Sequence, residues 1–113
     1  MSRHASGLRA WFLQRVSAIY LMLFFLYMLQ HMIFHTPPDH PAWQSWVAQP
    51  SVSFGLLLFF ASLLLHAWVG IRDVLIDYVH PTAIRVSLLT LIGFVLTGCA
   101  LWVLQVIILA HVA

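Results

Sequence analysis

Three long apolar runs take up most of this 113-residue chain, and they constrain its fold more than any other feature. The runs cover about residues 16–34, 52–74 and 86–110. Each meets the requirement of roughly 20 residues for an α-helix that crosses a hydrocarbon core about 30 Å thick. Since 63% of the residues are hydrophobic and 7% are charged, a soluble domain of this length could not bury so much apolar surface. We therefore predict a single-domain, all-α membrane protein with three transmembrane helices.

The basic residues predict how these helices are oriented. All five arginines fall at one end of the predicted bundle: Arg3, Arg9, Arg15, Arg72 and Arg85. Because positively charged segments remain on the cytoplasmic side, we expect the N-terminus and the 75–85 loop in the cytoplasm. The 36–50 loop and the C-terminus are then expected in the periplasm. The first run is too long for the apolar core of a signal peptide, so we expect it to be retained as a helix.

Charge and cysteine content exclude several classes of function. The formal net charge is only +2 and is dispersed along the chain, which argues against nucleic-acid binding. The single cysteine, Cys99, lies in an apolar run and excludes an internal disulfide and a covalent haem-attachment motif. Polar residues within the runs are too sparse to line a pore, which disfavours a small channel or a holin. Trp43 and Trp46, in the 36–50 loop, suit an anchoring role at the membrane interface.

One ionisable residue, His66, lies inside the second apolar run. Ionisable side chains within a membrane span are costly, and they usually face a cofactor, a cavity or a partner. We place His66 about 12–15 Å from the arginine side of the membrane. Ser62 and Gly70 lie one turn away on the same helix face, so either a flat macrocycle or another helix could approach closely. Two interpretations stay open: a functional ligand, and a histidine hydrogen-bonded to a neighbouring helix.

The other histidines do not share the predicted depth of His66. His31 lies about 24 Å from the arginine side, and the rest lie at or beyond the membrane boundaries. A haem held by two axial histidines would therefore need its second ligand from another polypeptide. His31 and His35 are one turn apart and could bind a metal, but we favour them as polar interface residues.

Asp77 and Tyr78 lie at the water boundary beyond the second run, just before Pro81 stops the helix. A tyrosine hydroxyl can donate a hydrogen bond to a quinone carbonyl, and a nearby carboxylate can relay protons. Each residue alone is also common at an interface or a helix end. Their place beyond a buried candidate ligand on the same helix favours redox chemistry at the membrane face.

Two sequence patterns carry a resemblance to a known family. The pattern H-A-W-x-G at residues 66–70 is followed by D-Y-V-x-P at residues 77–81, and Arg15 lies in LQRVSAI before the first run. With its three runs and clustered arginines, the chain resembles the smaller hydrophobic membrane anchor of succinate dehydrogenase. That anchor is the cytochrome b556-type small subunit of bacterial complex II.

This resemblance implies specific cofactors, partners and site residues. Such subunits pair with a second three-helix anchor subunit, and each forms half of a heterodimeric bundle that holds one haem b. The two anchors attach a flavoprotein and an iron–sulfur subunit to the bacterial inner membrane, where electrons from succinate reduce ubiquinone. The resemblance implies that His66 is an axial haem ligand, that Tyr78 donates to the quinone carbonyl and that Asp77 delivers protons. It also implies that Arg15 is a cation for a haem propionate or the quinone pocket.

Two alternatives to this interpretation share the same scaffold. The first is the anchor of a fumarate reductase, since the sequence does not fix the direction of the reaction. The second is a purely structural membrane tether without a redox group. The absorbance spectrum of the purified complex separates the tether from the other two, because a tether would show no haem bands.

Overall fold

Residues 3–112 are described by a computed structural model, with side chains from residue 7 onwards, and this part of the chain forms helices joined by short connections. The helices are α1 (Arg3–Phe34), α2 (His40–Ala48), α3 (Pro50–Tyr78) and α4 (Thr82–Val112). Three of them, α1, α3 and α4, are long and apolar enough to cross a membrane. The prediction of an all-α membrane protein with three spanning helices is therefore confirmed. The side chain of Arg3, which entered the orientation argument, lies outside the described residues.

Each spanning helix is longer than its apolar run. α1 begins 13 residues before the first run, and α3 and α4 extend beyond the second and third runs at both ends. An apolar run measures only the part of a helix that lipid surrounds, whereas the helical hydrogen bonds continue into the polar flanks. The extra turns place Arg15 within α1 and Asp77 within the last turn of α3.

The connection between α3 and α4 is short and closed by hydrogen bonds. α3 ends at Tyr78, and the N–H of Val79 donates to the carbonyl of Leu75 at 2.9 Å. Proline disfavours a helical conformation in the residue before it, which agrees with the predicted stop near Pro81. Arg85 Nε donates to the carbonyl oxygen of Val79 at 3.0 Å, so this arginine also caps the end of α3.

The short helix α2 was not predicted from the sequence, which indicated only a loop with anchoring tryptophans. Asp39 caps its N-terminus, because its carboxylate accepts a hydrogen bond from the N–H of Ala42 at 2.9 Å. The helix buries Trp46, which is 8% exposed, and Val47, which is 2% exposed. Trp46 is therefore a core residue of the protein and not only an interfacial anchor.

The central helix of the bundle is α3. It packs against α1 and against α4, and α2 packs across α3 and α4. We call the end that carries Arg9, Arg15, Arg72 and Arg85 the arginine end, and the opposite end, where α2 lies, the α2 end. The molecule measures 51 × 25 × 24 Å, so its long axis exceeds the thickness of a hydrocarbon core of about 30 Å.

The buried core lies at the α2 end. Its buried apolar side chains come from α2, α3 and α4: Trp46, Val47, Val52, Leu56, Ile107 and Ala110. Elsewhere large apolar side chains are exposed, as shown by Phe94 at 71% and Trp102 at 72%. In a membrane protein such surfaces contact lipid or another subunit, because lipid tails solvate them without cost.

A close contact between α1 and α3 lies at Gly55. The hydroxyl of Tyr20 donates to the carbonyl oxygen of Gly55 at 2.8 Å. The ring of Phe24 lies so close that a Cβ atom at this glycine would be 2.5 Å from Phe24 Cε2. The absence of a side chain at Gly55 therefore lets the two helices approach, as small residues do in membrane bundles.

Candidate functional site

A large groove opens between α1 and α3 at the arginine end. Its volume is about 840 Å³. The polar side chains that line it come from both helices: Arg9, Gln14, Arg15, His66, Arg72 and Asp73. His66 is half-buried and also lines a second groove, alongside Gln14 and Gly70. The structure thus brings the predicted ligand His66 and the predicted cation Arg15 to one groove.

The ring of His66 is hydrogen-bonded to the neighbouring helix through one of its two nitrogens. His66 Nδ1 lies 3.0 Å from Ser17 Oγ of α1. Ser17 is only 6% exposed, and its hydroxyl also donates to the carbonyl oxygen of Gln14 at 3.2 Å. The hydrogen bond to a neighbouring helix is therefore present, but within residues 7–112 it leaves Nε2 without a hydrogen-bond partner. The two interpretations of His66 are compatible with each other.

Gln14 occupies the space beside Gly70 that small residues were expected to provide. A Cβ atom at Gly70 would lie 3.3 Å from Gln14 Nε2, which is tighter than an ordinary contact. The Oε1 atom of Gln14 is buried and has no hydrogen-bond partner in the described part of the chain. A buried acceptor without a partner costs about 1–3 kcal/mol, so this position is suited to a further donor from water, a ligand or another subunit.

The groove fits one half of a haem site. It combines an imidazole whose Nε2 is available with a basic rim. Among the residues that the structure describes, no three His, Cys, Asp or Glu side chains are grouped as metal ligands would be. The second axial ligand from another polypeptide stays a prediction.

The arginines at the groove differ in their surroundings. Arg72 Nη2 lies 3.1 Å from Asp73 Oδ1, in a partly exposed ion pair. Such pairs contribute about 0–1 kcal/mol, so the Arg72 side chain is easily redirected. Arg15 is exposed, and its guanidinium lies 5.7 Å from the ring centroid of Trp11. Arg15 therefore offers the groove a cation that a carboxylate does not already neutralise within residues 7–112.

Asp77 and Tyr78 do not line this groove. Both are exposed, Tyr78 by 77%. Tyr78 lies 12 residues after His66 on α3, which corresponds to about 18 Å along the helix axis. The structure therefore separates the two predicted sites along α3, with the histidine inside the bundle and the acid and phenol on its surface.

The histidine pair His31 and His35 packs at the α2 end. The ring centroid of His31 lies 4.3 Å from that of Trp46, with the planes 8° apart, and 5.5 Å from that of His35. His31 thus contributes to the contact between α1 and α2, as expected for an interface residue. His111, at the same end, lies 2.7 Å from Ser53 Oγ through its Nε2 atom.

Two residues of the site were missed by reasoning from the sequence: Gln14, which lies beside Gly70, and Ser17, which is hydrogen-bonded to His66. They are polar and three positions apart at the start of the first apolar run, so they share a helix face. That spacing was the only feature of the sequence by which a shared polar face could have been found. Which face of α1 meets His66 depends on how α1 packs against α3, and the sequence pattern does not contain that information.

The chain is similar in sequence to known membrane subunits. Residues 1–104 match the family described as succinate dehydrogenase/fumarate reductase transmembrane subunit. The chain is also 29% identical over 105 residues to the succinate dehydrogenase hydrophobic membrane anchor subunit of Coxiella burnetii (strain RSA 493 / Nine Mile phase I). That alignment covers 93% of this chain and 91% of the relative.

Proposed function

The chain belongs to the succinate dehydrogenase/fumarate reductase transmembrane subunit family, and we propose that it anchors a succinate:quinone oxidoreductase in the bacterial inner membrane. In this proposal residues 1–113 form one anchor domain, outside the catalytic core of the enzyme. A second anchor subunit, an iron–sulfur subunit and a flavoprotein are its partners. The name of the Coxiella relative favours succinate oxidation over fumarate reduction, although the family includes anchors for both reactions.

The observation that carries this proposal is the environment of the His66 ring. Its Nδ1 is hydrogen-bonded to α1, and its ring borders a groove within the span of α3. Haem b bound there would supply one-electron transfer. His66 would provide one nitrogen ligand to the iron, Arg15 would balance the charge of a propionate or serve the quinone pocket, and the partner anchor would provide a second histidine. A tether without a redox group would not require an ionisable side chain at this depth.

Asp77 and Tyr78 form the second part of the proposal. Their exposure at the arginine end leaves them free to contact a partner subunit and a quinone. The Tyr78 hydroxyl would donate a hydrogen bond to a ubiquinone carbonyl, and the Asp77 carboxylate would pass protons to the reduced quinone. Charge develops on the carbonyl oxygen during reduction, so a donor at that atom stabilises the transition state.

Purification of the complex with an affinity tag on this chain tests the proposal. We expect the flavoprotein and the iron–sulfur subunit to copurify, together with a b-type haem spectrum and succinate–quinone reductase activity. His66→Ala should abolish the haem bands. His31→Ala is the matched control, because it removes a histidine that packs on Trp46 at the opposite end, and it should retain the haem. A complex without haem, or haem bands that survive His66→Ala, would contradict the proposal.

A further inference from the structure

We propose that Ser17 is the positioning residue for His66. Through one interhelical hydrogen bond, it fixes the ring orientation and the tautomer in which Nε2 is unprotonated and able to bind iron. This inference rests on the proposed haem site but adds a residue of α1 to it. It follows from the geometry around a single hydroxyl group.

The count of donors and acceptors around Ser17 favours one tautomer of His66. A serine hydroxyl has one proton and two acceptor lone pairs. Ser17 uses its proton toward the carbonyl oxygen of Gln14, at 3.2 Å. In this arrangement Ser17 accepts the bond from His66 Nδ1, at 3.0 Å, and the ring proton resides on Nδ1. A neutral imidazole carries only one ring proton, and Nε2 is then left as the free acceptor that metal coordination requires.

The surroundings of Ser17 make this arrangement persistent. The residue is 6% exposed, so water does not compete effectively for its hydroxyl. Within residues 7–112, the bond to His66 is the only hydrogen bond that joins side chains of α1 and α3. Helix α1 thus sets the rotation of the His66 ring, while α3 sets its depth.

The bond also affects how strongly His66 would bind a metal. An imidazole that donates its second N–H to an acceptor is oriented by it and becomes a more basic ligand, and loss of such partners typically costs about 10- to 100-fold in metal affinity. A more basic axial ligand stabilises ferric over ferrous iron. Removal of the Ser17 hydroxyl should therefore weaken haem retention and raise the haem reduction potential.

The test uses the assembled complex with three variants of this chain. Ser17→Ala removes the acceptor, Ser17→Thr retains a hydroxyl, and Ser62→Ala removes the hydroxyl one turn from His66 on its own helix. We measure the haem potential by redox titration, the electron paramagnetic resonance spectrum of the ferric haem, and haem transfer to an excess of apomyoglobin. We expect Ser17→Ala to raise the potential, alter the resonance spectrum and weaken haem retention about 10- to 100-fold. Ser17→Thr and Ser62→Ala should behave as wild type.

A purely structural role would give a different result. Assembly yield and thermal stability would fall in Ser17→Ala, whereas the potential and resonance spectrum of the haem would not change. That outcome would overturn the inference. If Ser17→Ala does not assemble, Ser17→Cys retains nearly the same volume with a weakly accepting sulfur, and the same measurements apply.

The design also separates this inference from the proposed function. If the wild-type complex contains haem and His66→Ala removes it, the proposed site stands, and unchanged haem properties in Ser17→Ala overturn only the role of Ser17. If His66→Ala retains its haem, the proposed ligand is wrong and the role of Ser17 is overturned with it.

Discussion

At the scale of single residues, Tyr78 and Asp77 differ from His66 in how much of their environment this chain supplies. His66 has a hydrogen-bonded neighbour and a groove, whereas the acid and the phenol are exposed on the surface. Their proposed chemistry therefore depends on groups from other subunits. Substitutions at Asp77 and Tyr78 should then affect the reaction with quinone more than the stability of this chain.

We predict that Tyr78→Phe impairs quinone reduction without preventing assembly. The substitution removes one hydroxyl from an exposed ring, so packing within the chain is retained. Loss of a hydrogen bond to a developing negative charge can lower the rate on the order of 10²-fold. Quinone reductase activity of the purified complex measures this loss, and quinone affinity should weaken as well.

Two controls accompany Tyr78→Phe. Succinate oxidation with a water-soluble acceptor bypasses the membrane site and should remain unchanged. Asp77→Asn should also lower quinone reduction selectively, with a stronger dependence on pH because the proton-relaying carboxylate is lost. Quinone reduction at the wild-type rate in an intact Tyr78→Phe complex would show that this ring is only an interfacial anchor.

Residues at the site differ in how far the sequence revealed them. His66 was identified because an ionisable side chain in an apolar run is costly and therefore informative. Ser17 and Gln14 carry no such cost as helix residues near a span boundary. Their importance arises from contacts with another helix, so only the packed structure identified them.

At the scale of helices, the pairing of α1 with α3 depends on Gly55. The Tyr20 hydroxyl and the Phe24 ring both contact α3 at this residue. The Phe24 ring also lies 5.9 Å from that of Tyr20 and 5.4 Å from that of Phe59, so it has aromatic neighbours that restrict its movement. The same pairing forms the groove that holds His66.

We predict that Gly55→Ala destabilises this helix pair. The new Cβ would lie 2.5 Å from Phe24 Cε2, so the ring or the helix must shift. Overpacking of this kind costs about 1–3 kcal/mol. The thermal midpoint of the purified complex, followed by circular dichroism, should therefore fall.

Gly93→Ala is the matched control for Gly55→Ala. Gly93 lies within α4, and a Cβ there would meet nothing within 4 Å. Alanine also has the higher helix propensity, so this variant should be as stable as wild type in the absence of a partner contact. Equal thermal midpoints for the two variants would show that the close contact at Gly55 does not limit stability.

At the scale of the whole molecule, the orientation in the membrane is a testable prediction. Reporter fusions at Asp39 and at the C-terminus should report a periplasmic location, and fusions near Thr82 a cytoplasmic one, because the arginines lie at the opposite end from α2. Alkaline phosphatase and green fluorescent protein fusions measure the two locations. A cytoplasmic C-terminus would place Asp77 and Tyr78 on the wrong side for partners in the cytoplasm.

We also predict that the chain does not form a bis-histidine haem protein by itself. His31 packs at the α2 end, far along the bundle from His66, and cannot serve as the opposite axial ligand. The isolated, monomeric protein with added haem should therefore lack the low-spin b-type spectrum of the complex. Such a spectrum from the monomer would overturn the shared-ligand arrangement.

The sequence by itself determined the membrane class, the three spans and the family. These properties depend on length, hydropathy and short motifs, which are local along the chain. The tertiary structure decided what depends on packing between helices. It showed the burial of Trp46 of α2 in the core, the contact at Gly55 and the hydrogen bond between Ser17 and His66. Lipid satisfies every apolar face about equally, so hydropathy does not specify which faces pair. Small residues and interhelical hydrogen bonds determine which faces pair, and they contribute only once the helices are in contact.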